Sequence, residues 1–349
     1  MVFTEPCLKR VVSPVGELVV RVGVPLLDDY LDFLAGRARP NSVLAAGYDV
    51  VVFFRFVAKE PYEVTSADVL AFITSQRSGG DGRSLRAVND AAGVSARTVR
   101  RRLSISGLFS YLTVRGDVMA NPVPRGLPTR REVSRPRQGV PLVRSPRTLP
   151  RVLEPAEVDM LLAAASTNRD RAMFQAMVLG GLRRCEVLGL RMEDIRAGAR
   201  QVFIAQGKGG HQRQVPISVR FFTSVGAYLD TERPAEARTE KLFVALKGPR
   251  RGQALSAAGV DTVMDGARAR AGLAHATCHE LRHTCLTRLL EAGMALEAIQ
   301  AQAGHASIES TRIYLHLGDD WLAAQYRRAA EVIDAQVFAD HPRAAGGQR

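Results

Sequence analysis

A proline- and arginine-rich stretch constrains the fold more than any other feature of this sequence. It reads PVPRGLPTRREVSRPRQGVPLVRSPRTLP over residues 122–150 and contains a single acidic residue, Glu132. Repeated prolines remove backbone hydrogen-bond donors and bias the preceding residues to extended conformations, so a helix or an inner strand cannot persist here. The 349 residues are enough for a separate hydrophobic core on each side of the stretch. The sequence therefore predicts two domains joined by an extended linker.

The charge balance indicates a polyanionic partner. Lysine and arginine total 48 against 35 acidic residues, which gives a formal net charge of +13 and a pI of about 10.2. Such a surplus favours nucleic acid or an anionic membrane surface. No apolar run approaches the ~20 residues of a membrane span, so nucleic acid is the leading expectation. The arginine-rich linker is then either a solvated loop or a strap along a DNA backbone.

Cysteine usage and the first residues indicate a compartment. Four cysteines are too few for a disulfide scaffold in a chain of this length and are expected to be reduced thiols. The first sixteen residues, MVFTEPCLKRVVSPVG, lack the basic and apolar regions of a signal peptide. We therefore expect a cytoplasmic, nucleoid-associated protein without a membrane partner.

The half before the linker has helical patterning. The segments PLLDDYLDFLAG and SVLAAGYDVVVFFRFVAK have helix-like apolar spacing, and Thr65 or Ser66 can cap a third helix. A further helix begins at Ser95. It carries an apolar stripe at its end and four arginines in its first turns: Arg97, Arg100, Arg101 and Arg102. These arginines form either a solvated basic face or a phosphate contact, and the lack of neighbouring acidic residues in the sequence favours the phosphate contact.

The half after the linker combines helices with one hairpin. Pro155 is suited to the first position of a helix, a second helix is expected at about 169–179, and a third follows Gly180-Gly181. Residues 201–217 change period, with apolar residues alternating on both sides of a glycine-rich turn. They predict a β-hairpin with Lys208 at its tip. Helices return from about residue 256. The fold class expected for the chain is mainly α, with a small antiparallel β-sheet in the second domain.

The motif HELRH at 279–283 permits two interpretations. As H-E-x-x-H, it would place His279 and His283 on one helical face as zinc ligands, with Glu280 as a base and Glu309 as a distant third ligand. The extended zinc motif fails, because Leu286 and Leu289 stand where glycine and histidine are required. The other interpretation pairs His279 with Arg282, also on one face, as donors to a phosphate diester.

Three further segments could supply groups for phosphate chemistry. GLRRCE at 181–186 contains Arg183 and, three residues later, Glu186, a carboxylate that can orient the guanidinium. GKGG places Lys208 on a hairpin tip, and Gly304-His305 is followed nine residues later by Tyr314. Each motif alone is weak, since an isolated arginine, lysine or tyrosine is more often an ordinary surface or core residue.

In this order and spacing, the four motifs resemble the tyrosine recombinase, or phage integrase, family of DNA strand-exchange enzymes. The resemblance covers about residues 21–336 and implies a two-domain C-shaped clamp on duplex DNA. It implies the following divisions: an N-terminal extension (1–20), a helical core-DNA-binding domain with a SAM-like fold (21–121), the linker (122–150), a catalytic domain (151–337) and a disordered tail (338–349).

The resemblance also implies a role for each residue. Tyr314 would attack the scissile phosphorus and form a 3′-phosphotyrosine. Negative charge builds on the phosphate in the transition state, and Arg183 and Arg282 are suited to clamp its non-bridging oxygens while His305 donates to one of them. Lys208 would protonate the leaving 5′ oxygen, and His279 would assist proton transfer or hold the phosphate. Neither a metal ion nor another cofactor is expected, because the arginines and the lysine supply the positive charge.

The expected function is site-specific recombination through a Holliday junction, with integration or excision of a mobile element favoured over chromosome resolution. The expected partners are duplex DNA with inverted-repeat sites and three further protomers, either identical or from a sister recombinase. The DNA backbone would be tracked by Arg97, Arg100, Arg101 and Arg102 and by the linker residues Arg130 and Arg131. Two alternatives are a DNA-binding protein of the same fold without strand exchange and the zinc hydrolase.

Overall fold

The computed structural model describes residues 3–12, 18–78, 93–124, 126, 142–144, 151–205, 207, 212–305, 326–327 and 330–331. The chain divides into two compact units, Met1–Arg147 and Thr148–Arg349. In the described residues both units are mainly helical, and each has one small antiparallel sheet there. The expected fold class, mainly α with a small antiparallel sheet, is confirmed. Within the described residues, no helix is both long enough and apolar enough to cross a membrane.

The first unit contains two strands and five helices among its described residues. They are β1 (Lys9–Val12), β2 (Leu18–Arg21), α1 (Pro25–Ala35), α2 (Pro40–Val57), α3 (Ser66–Ser78), α4 (Ala96–Arg102) and α5 (Ser106–Arg115). Proline occupies the first turn of both α1 and α2, where no intrahelical N–H is needed. The hydroxyl of Ser95 caps α4 by accepting the N–H of Thr98 at 3.2 Å, so the expected start of that helix is confirmed.

The N-terminal residues differ from the expected extension. Strands β1 and β2 pair antiparallel, with Lys9 opposite Arg21, and the side chains of Val20 and Val22 are buried in the core of the unit. A Cβ at Gly47 of α2 would lie only 2.9 Å from Val20, so α2 and the hairpin pack closely. The boundary expected after residue 20 therefore falls inside a hairpin that belongs to the unit. Residues 18–22 read LVVRV, and this run of apolar, mostly β-branched residues is the sequence signal for a strand.

Four phenylalanines form the centre of the first core. The ring of Phe53 on α2 lies 5.1 Å from Phe72 on α3 and 6.0 Å from Phe109 on α5, and Phe54 lies beside it. These rings meet edge to face, the arrangement that aromatic quadrupoles favour. Of the expected linker, Val143 is described and also packs into this core with 2% of its surface exposed. At Val143, the expected linker is therefore part of the core of the first unit and not a spacer.

The second unit contains seven helices and three strands among its described residues. They are α6 (Pro155–Ala163), α7 (Asn168–Val178), α8 (Arg184–Gly189), β3 (Ile195–Arg196), β4 (Gln201–Ile204), β5 (Arg213–Pro216), α9 (Val219–Thr231), α10 (Ala257–Arg270), α11 (Cys278–Glu291) and α12 (Leu296–Ala303). The expected hairpin is present as β4 and β5, with Val202 opposite Val215. The sequence did not predict β3, a two-residue strand that pairs with β4.

Helix α7 is the central element of the second unit and positions the site. Nearly all of its residues are buried, and it packs against α9 and α11. The chain leaves α7 through Gly180-Gly181. A Cβ on Gly180 would lie 2.7 Å from Ile217, and Gly181 has φ +67°, a backbone conformation that favours glycine. This turn places the start of α8 beside α11.

Candidate functional site

Arg183 lies at the N-terminus of α8 and is held by Glu186. The carboxylate of Glu186 accepts the backbone N–H of Arg183 at 2.9 Å and its Nη1 at 2.8 Å. Because the two residues are three apart at the first turn of the helix, one carboxylate can bind both the backbone and the side chain of Arg183. The guanidinium is thereby fixed in orientation while about a fifth of the side chain stays exposed.

Arg282 projects from α11 toward the same place. It is 2% exposed, and its Nη1 donates to the carbonyl of Gly181, while its Nη2 donates to the carbonyl of Ala303 at 2.8 Å. Its Nη2 also lies 3.0 Å from Nε2 of His305. Because a guanidinium is only a donor, Nε2 of His305 is the acceptor, and the neutral ring then carries its proton on Nδ1.

The end of α12 brings His305 to the two arginines. Three consecutive carbonyls at this end accept hydrogen bonds from three arginines: Arg213 Nε to Gln302 at 3.1 Å, Arg282 Nη2 to Ala303 at 2.8 Å and Arg183 Nη2 to Gly304 at 3.2 Å. The last carbonyls of a helix have no intrahelical partner and carry partial negative charge, so guanidinium groups stabilise them. The helix end therefore serves as a common support for the cationic side chains.

A buried carboxylate balances part of this charge. The side chain of Glu186 has no exposed surface and faces Arg183, Arg213 and, at 3.9 Å, Arg282. Burial by itself would raise the pKa of Glu186, but the hydrogen bonds and charges of Arg213 and Arg183 outweigh it and lower the pKa. With one carboxylate against three guanidinium groups, the cluster has a net positive charge, as a phosphate-binding site requires.

The histidines of the site are held in their neutral form. Burial, together with the charges of Arg282 and Arg183, lowers the pKa of His305 to about 4. Desolvation and the same two arginines also lower the pKa of His279. A positively charged imidazole would be repelled by the neighbouring guanidinium groups, so at neutral pH each ring is uncharged and can donate one hydrogen bond and accept another.

The zinc interpretation of HELRH finds no further support in the described part of the chain. The Nε2 atoms of His279 and His283 lie 2.8 Å apart, within hydrogen-bond distance of each other. Among the described residues, no group of three or more histidine, cysteine, aspartate or glutamate side chains could hold a metal ion. Glu309, the distant ligand that this interpretation needs, lies outside those residues.

Three of these side chains, Arg183, His279 and Arg282, line an open cleft of about 410 Å³. Its lining consists of Arg183, Arg184, Cys185, Asp261, Thr277, Cys278, His279 and Arg282. Helices α8, α10 and α11 thus contribute to one concave, cationic surface. A cleft of this kind can bind a phosphodiester and stabilise the negative charge that develops on it during displacement at phosphorus.

The structure brings together five of the residues singled out from the sequence: Arg183, Glu186, His279, Arg282 and His305. Lys208 and Tyr314 lie outside the described residues, as do the linker residues Arg130 and Arg131. Their expected roles stay predictions.

The arginines of α4 are not equivalent. Arg97 and Arg100 are exposed, but Nη1 of Arg101 donates to the buried carboxylate of Asp49 on α2 at 2.7 Å. Burial lowers the pKa of Arg102, which is also close to Asp49. The expectation that these arginines lack an acidic partner is therefore wrong for Arg101, because Asp49 lies 52 positions earlier in the sequence and is adjacent only in the fold.

Sequence reasoning gave no role to Arg213, whose guanidinium binds both oxygens of Glu186. A signal was present, since Arg213 lies two residues before the buried Val215 and therefore on the core-facing side of β5. An arginine on a buried strand face needs a partner, but the sequence does not say which one. Gln302 was also missed. Its Nε2 donates to the carbonyls of Gly180 and Pro216.

Comparison with known proteins agrees with this geometry. The sequence model of the phage integrase family matches residues 151–320. Tyrosine recombinase XerC of Roseiflexus castenholzii is 30% identical over 295 residues, which cover 80% of this chain and 84% of the relative. The chain belongs to the tyrosine recombinase family. The family resemblance inferred from the ordered motifs is confirmed, and so is the expected enzyme class, a site-specific DNA recombinase.

Solved structures share the fold of this recombinase at low sequence identity. XerH recombinase bound to palindromic difH substrate, in a post-cleavage complex, has a TM-score of 0.61 with 19% identity, covering 85% of this chain and 80% of that one. The Tn1549 transposon integrase, in complex with a circular intermediate DNA, has a TM-score of 0.62 with 16% identity, covering 87% and 99%. Both are tyrosine-recombinase folds captured on DNA.

Proposed function

We propose that this recombinase cuts and rejoins duplex DNA at specific sites through a covalent 3′-phosphotyrosine on Tyr314. The observation that carries the proposal is the convergence of Arg183 and Arg282 on the end of α12, next to His305, which is nine residues before that tyrosine. Two guanidinium groups and a neutral imidazole suit the non-bridging oxygens of a phosphodiester. The family membership and the DNA-bound structures of the same fold support duplex DNA as the substrate.

The proposed reaction forms one phosphoester bond for each one that it breaks, and it needs no external energy source. The phenolic oxygen of Tyr314 attacks phosphorus, the bond to the 5′ oxygen breaks, and Lys208 gives a proton to the departing oxygen. His279 takes up the tyrosine proton, or it holds the phosphate while that proton passes to water. The phosphotyrosyl ester retains the bond energy, so a 5′-hydroxyl from another strand can attack it and release Tyr314 without ATP.

We further propose that four protomers, identical or from a sister recombinase, exchange strands on inverted-repeat sites through a Holliday junction. The preferred role is integration or excision of a mobile element, and both units contact the DNA. All four cysteines are free, as expected of the cytoplasmic protein proposed here.

A nicked suicide duplex tests the chemistry. The duplex carries inverted repeats taken from the DNA that flanks the gene, with a nick close to the cleavage point so that the cut strand diffuses away. We expect a covalent protein–DNA adduct that forms in EDTA and is absent with Tyr314→Phe. Tight binding without an adduct would favour the alternative of a DNA-binding protein without strand exchange, and stoichiometric zinc in the purified protein would favour the hydrolase.

A further inference from the structure

Arg213 occupies half of the hydrogen-bonding capacity of the buried carboxylate at the site. Its Nη1 donates to Oε1 of Glu186 at 3.0 Å and its Nη2 donates to Oε2 at 2.9 Å. Arg183 fills the other two positions with its Nη1 and its backbone N–H, at 2.8 and 2.9 Å. A carboxylate offers about four acceptor positions, so these two arginines saturate Glu186.

The consequence falls on Arg282. Its Nη1 lies 3.9 Å from Oε2 of Glu186, close enough for charge attraction but too far for a hydrogen bond. A fully buried carboxylate attracts a neighbouring guanidinium strongly, since little water screens the pair. Because Arg213 already binds Glu186 in the bidentate manner, Arg282 instead donates to the backbone carbonyls of Gly181 and Ala303 and to His305.

A second set of contacts places Arg213 between three segments of the site. It is the first residue of β5, the strand that pairs with β4. Its Nε donates to the carbonyl of Gln302, and a Cβ on Gly304 would lie 2.8–3.0 Å from its guanidinium. Its side chain is 12% exposed, so it has little surface with which to contact DNA directly.

We propose that Arg213 is a positioning residue for the cleavage reaction. It saturates Glu186 and thereby keeps Arg282 on the carbonyls of Gly181 and Ala303, where Arg282 lines the cleft, and its bond to the carbonyl of Gln302 holds β5 against the end of α12 beside His305. This inference rests on the proposed function, because it assigns Arg213 to the same phosphate chemistry. It adds to that function a residue that acts through other residues and does not touch the substrate.

Removal of the Arg213 charge should redirect Arg282. In Arg213→Gln, Glu186 loses two charged donors, and the nearest cation able to replace them is Arg282, 3.9 Å away. A movement of about 1 Å by a transition-state group can reduce the rate about 10²-fold. DNA affinity depends on many exposed cations and should remain within about twofold of the wild type.

The experiment measures two quantities on the nicked suicide duplex: the equilibrium dissociation constant for DNA and the single-turnover rate of adduct formation. We expect Arg213→Gln to lower the rate about 10²-fold with unchanged affinity. Arg213→Lys should restore a substantial part of the rate, because an ammonium keeps the charge at Glu186 although it cannot form the bidentate pair. The matched control is Arg251→Gln, which removes an equal charge from an exposed pair with Glu236.

Each outcome is decisive. Wild-type rates in Arg213→Gln would overturn the inference, and so would equal losses of binding and rate in both Arg213 variants, which would show a purely structural role. If Arg213→Gln does not fold, Arg213→Lys still tests the proposal. A stable lysine variant with the wild-type rate would show that cleavage does not depend on the bidentate pair between Arg213 and Glu186. A wild type that forms no adduct would refute the proposed function itself, before any variant is compared.

Discussion

Gly304 shows how closely the residues of the site are packed. It ends α12 with φ +59°, in the left-handed region, and the space where its Cβ would lie is occupied by the guanidinium of Arg213. Glycine at this position therefore satisfies both a backbone and a packing requirement. His305 follows directly, so any shift of Gly304 is transmitted to a ring that accepts a hydrogen bond from Arg282.

Replacement of Gly304 by alanine should lower stability and activity together. Gly272 provides the matched control, since it also ends a helix with positive φ, at +66°, but has open space around its Cβ position. We expect Gly272→Ala to cost only the backbone term, about 1–2 kcal/mol of unfolding free energy. Gly304→Ala should cost more and slow adduct formation. Urea denaturation and the suicide-duplex assay measure both effects, and equal losses in the two variants would contradict the packing argument.

The neutral histidines predict a pH dependence of stability. The pKa of His305 is lowered to about 4, and that of His283 to about 4, against an ordinary value near 6.5. Between these values the unfolded chain binds protons that the folded chain does not. The free energy of unfolding therefore falls as the pH decreases from about 6.5 toward 4. Glu186, whose pKa is lowered, stays ionised in the upper part of this range.

We expect His305→Gln to lose less stability than the wild type between pH 7 and pH 5. Urea denaturation across this range gives the slope of stability against pH for each variant. His275→Gln, at an exposed histidine, is the control. Equal slopes for the wild type and His305→Gln would show that His305 is not held neutral in the folded protein.

Helix α4 shows that charges on one element have different roles. Arg97, Arg100 and Arg101 are all exposed, but Arg101 also pairs with Asp49, whose side chain is 3% exposed. The helix is anchored to α2 by this ion pair. The sequence indicated a basic helix, but it could not show which arginines bind within the unit.

Substitutions in α4 should therefore separate binding from stability. The double variant Arg97→Gln, Arg100→Gln should bind DNA more weakly and keep the wild-type stability. The slope of log K against log salt should become less negative, by up to about 0.9 for each phosphate that is no longer neutralised. Arg101→Gln should instead destabilise the protein by about 1 kcal/mol, because it removes a charged donor from the buried carboxylate of Asp49 while water screens the half-exposed arginine. Salt-dependent binding and urea denaturation measure the two effects. Destabilisation by the Arg97 and Arg100 pair would contradict this division.

The net charge of +13 has a consequence for the protein as a whole. Its cations fall into an internal group around Glu186 and exposed residues such as Arg97 and Arg100. Only exposed cations can release counterions from DNA, so the net charge does not by itself give the number of phosphates that the protein can neutralise.

Affinity for duplex DNA should fall steeply with salt, with a log–log slope of about −0.9 for each phosphate neutralised. Arg251→Gln should change this slope little, because that side chain already pairs with Glu236. Titrations between about 50 and 300 mM salt, on specific and random duplexes, test this expectation. A flat dependence would show that the basic surface does not hold DNA.

Local signals made much of the molecule predictable. Proline at the first turn of α6, the Ser95 cap of α4 and the alternation in β4 and β5 are short-range patterns, and the structure contains each of them. The order of four motifs was enough to indicate the family. By contrast, the N-terminal hairpin was missed because the apolar residues of its second strand are nearly continuous and do not alternate, and Val143 was assigned to a linker because prolines surround it.

The sequence by itself determined the chemistry available: arginine, histidine and glutamate in motifs whose spacing places them at helix starts and on one helix face. Tertiary structure alone decided which of those groups bind one another. Arg213 meets Glu186 across 27 positions, Arg183 meets the carbonyl of Gly304 across 121, and Arg101 meets Asp49 across 52. Charge attraction and hydrogen bonding depend on distance in space, and no periodicity in the sequence encodes distances between elements this far apart.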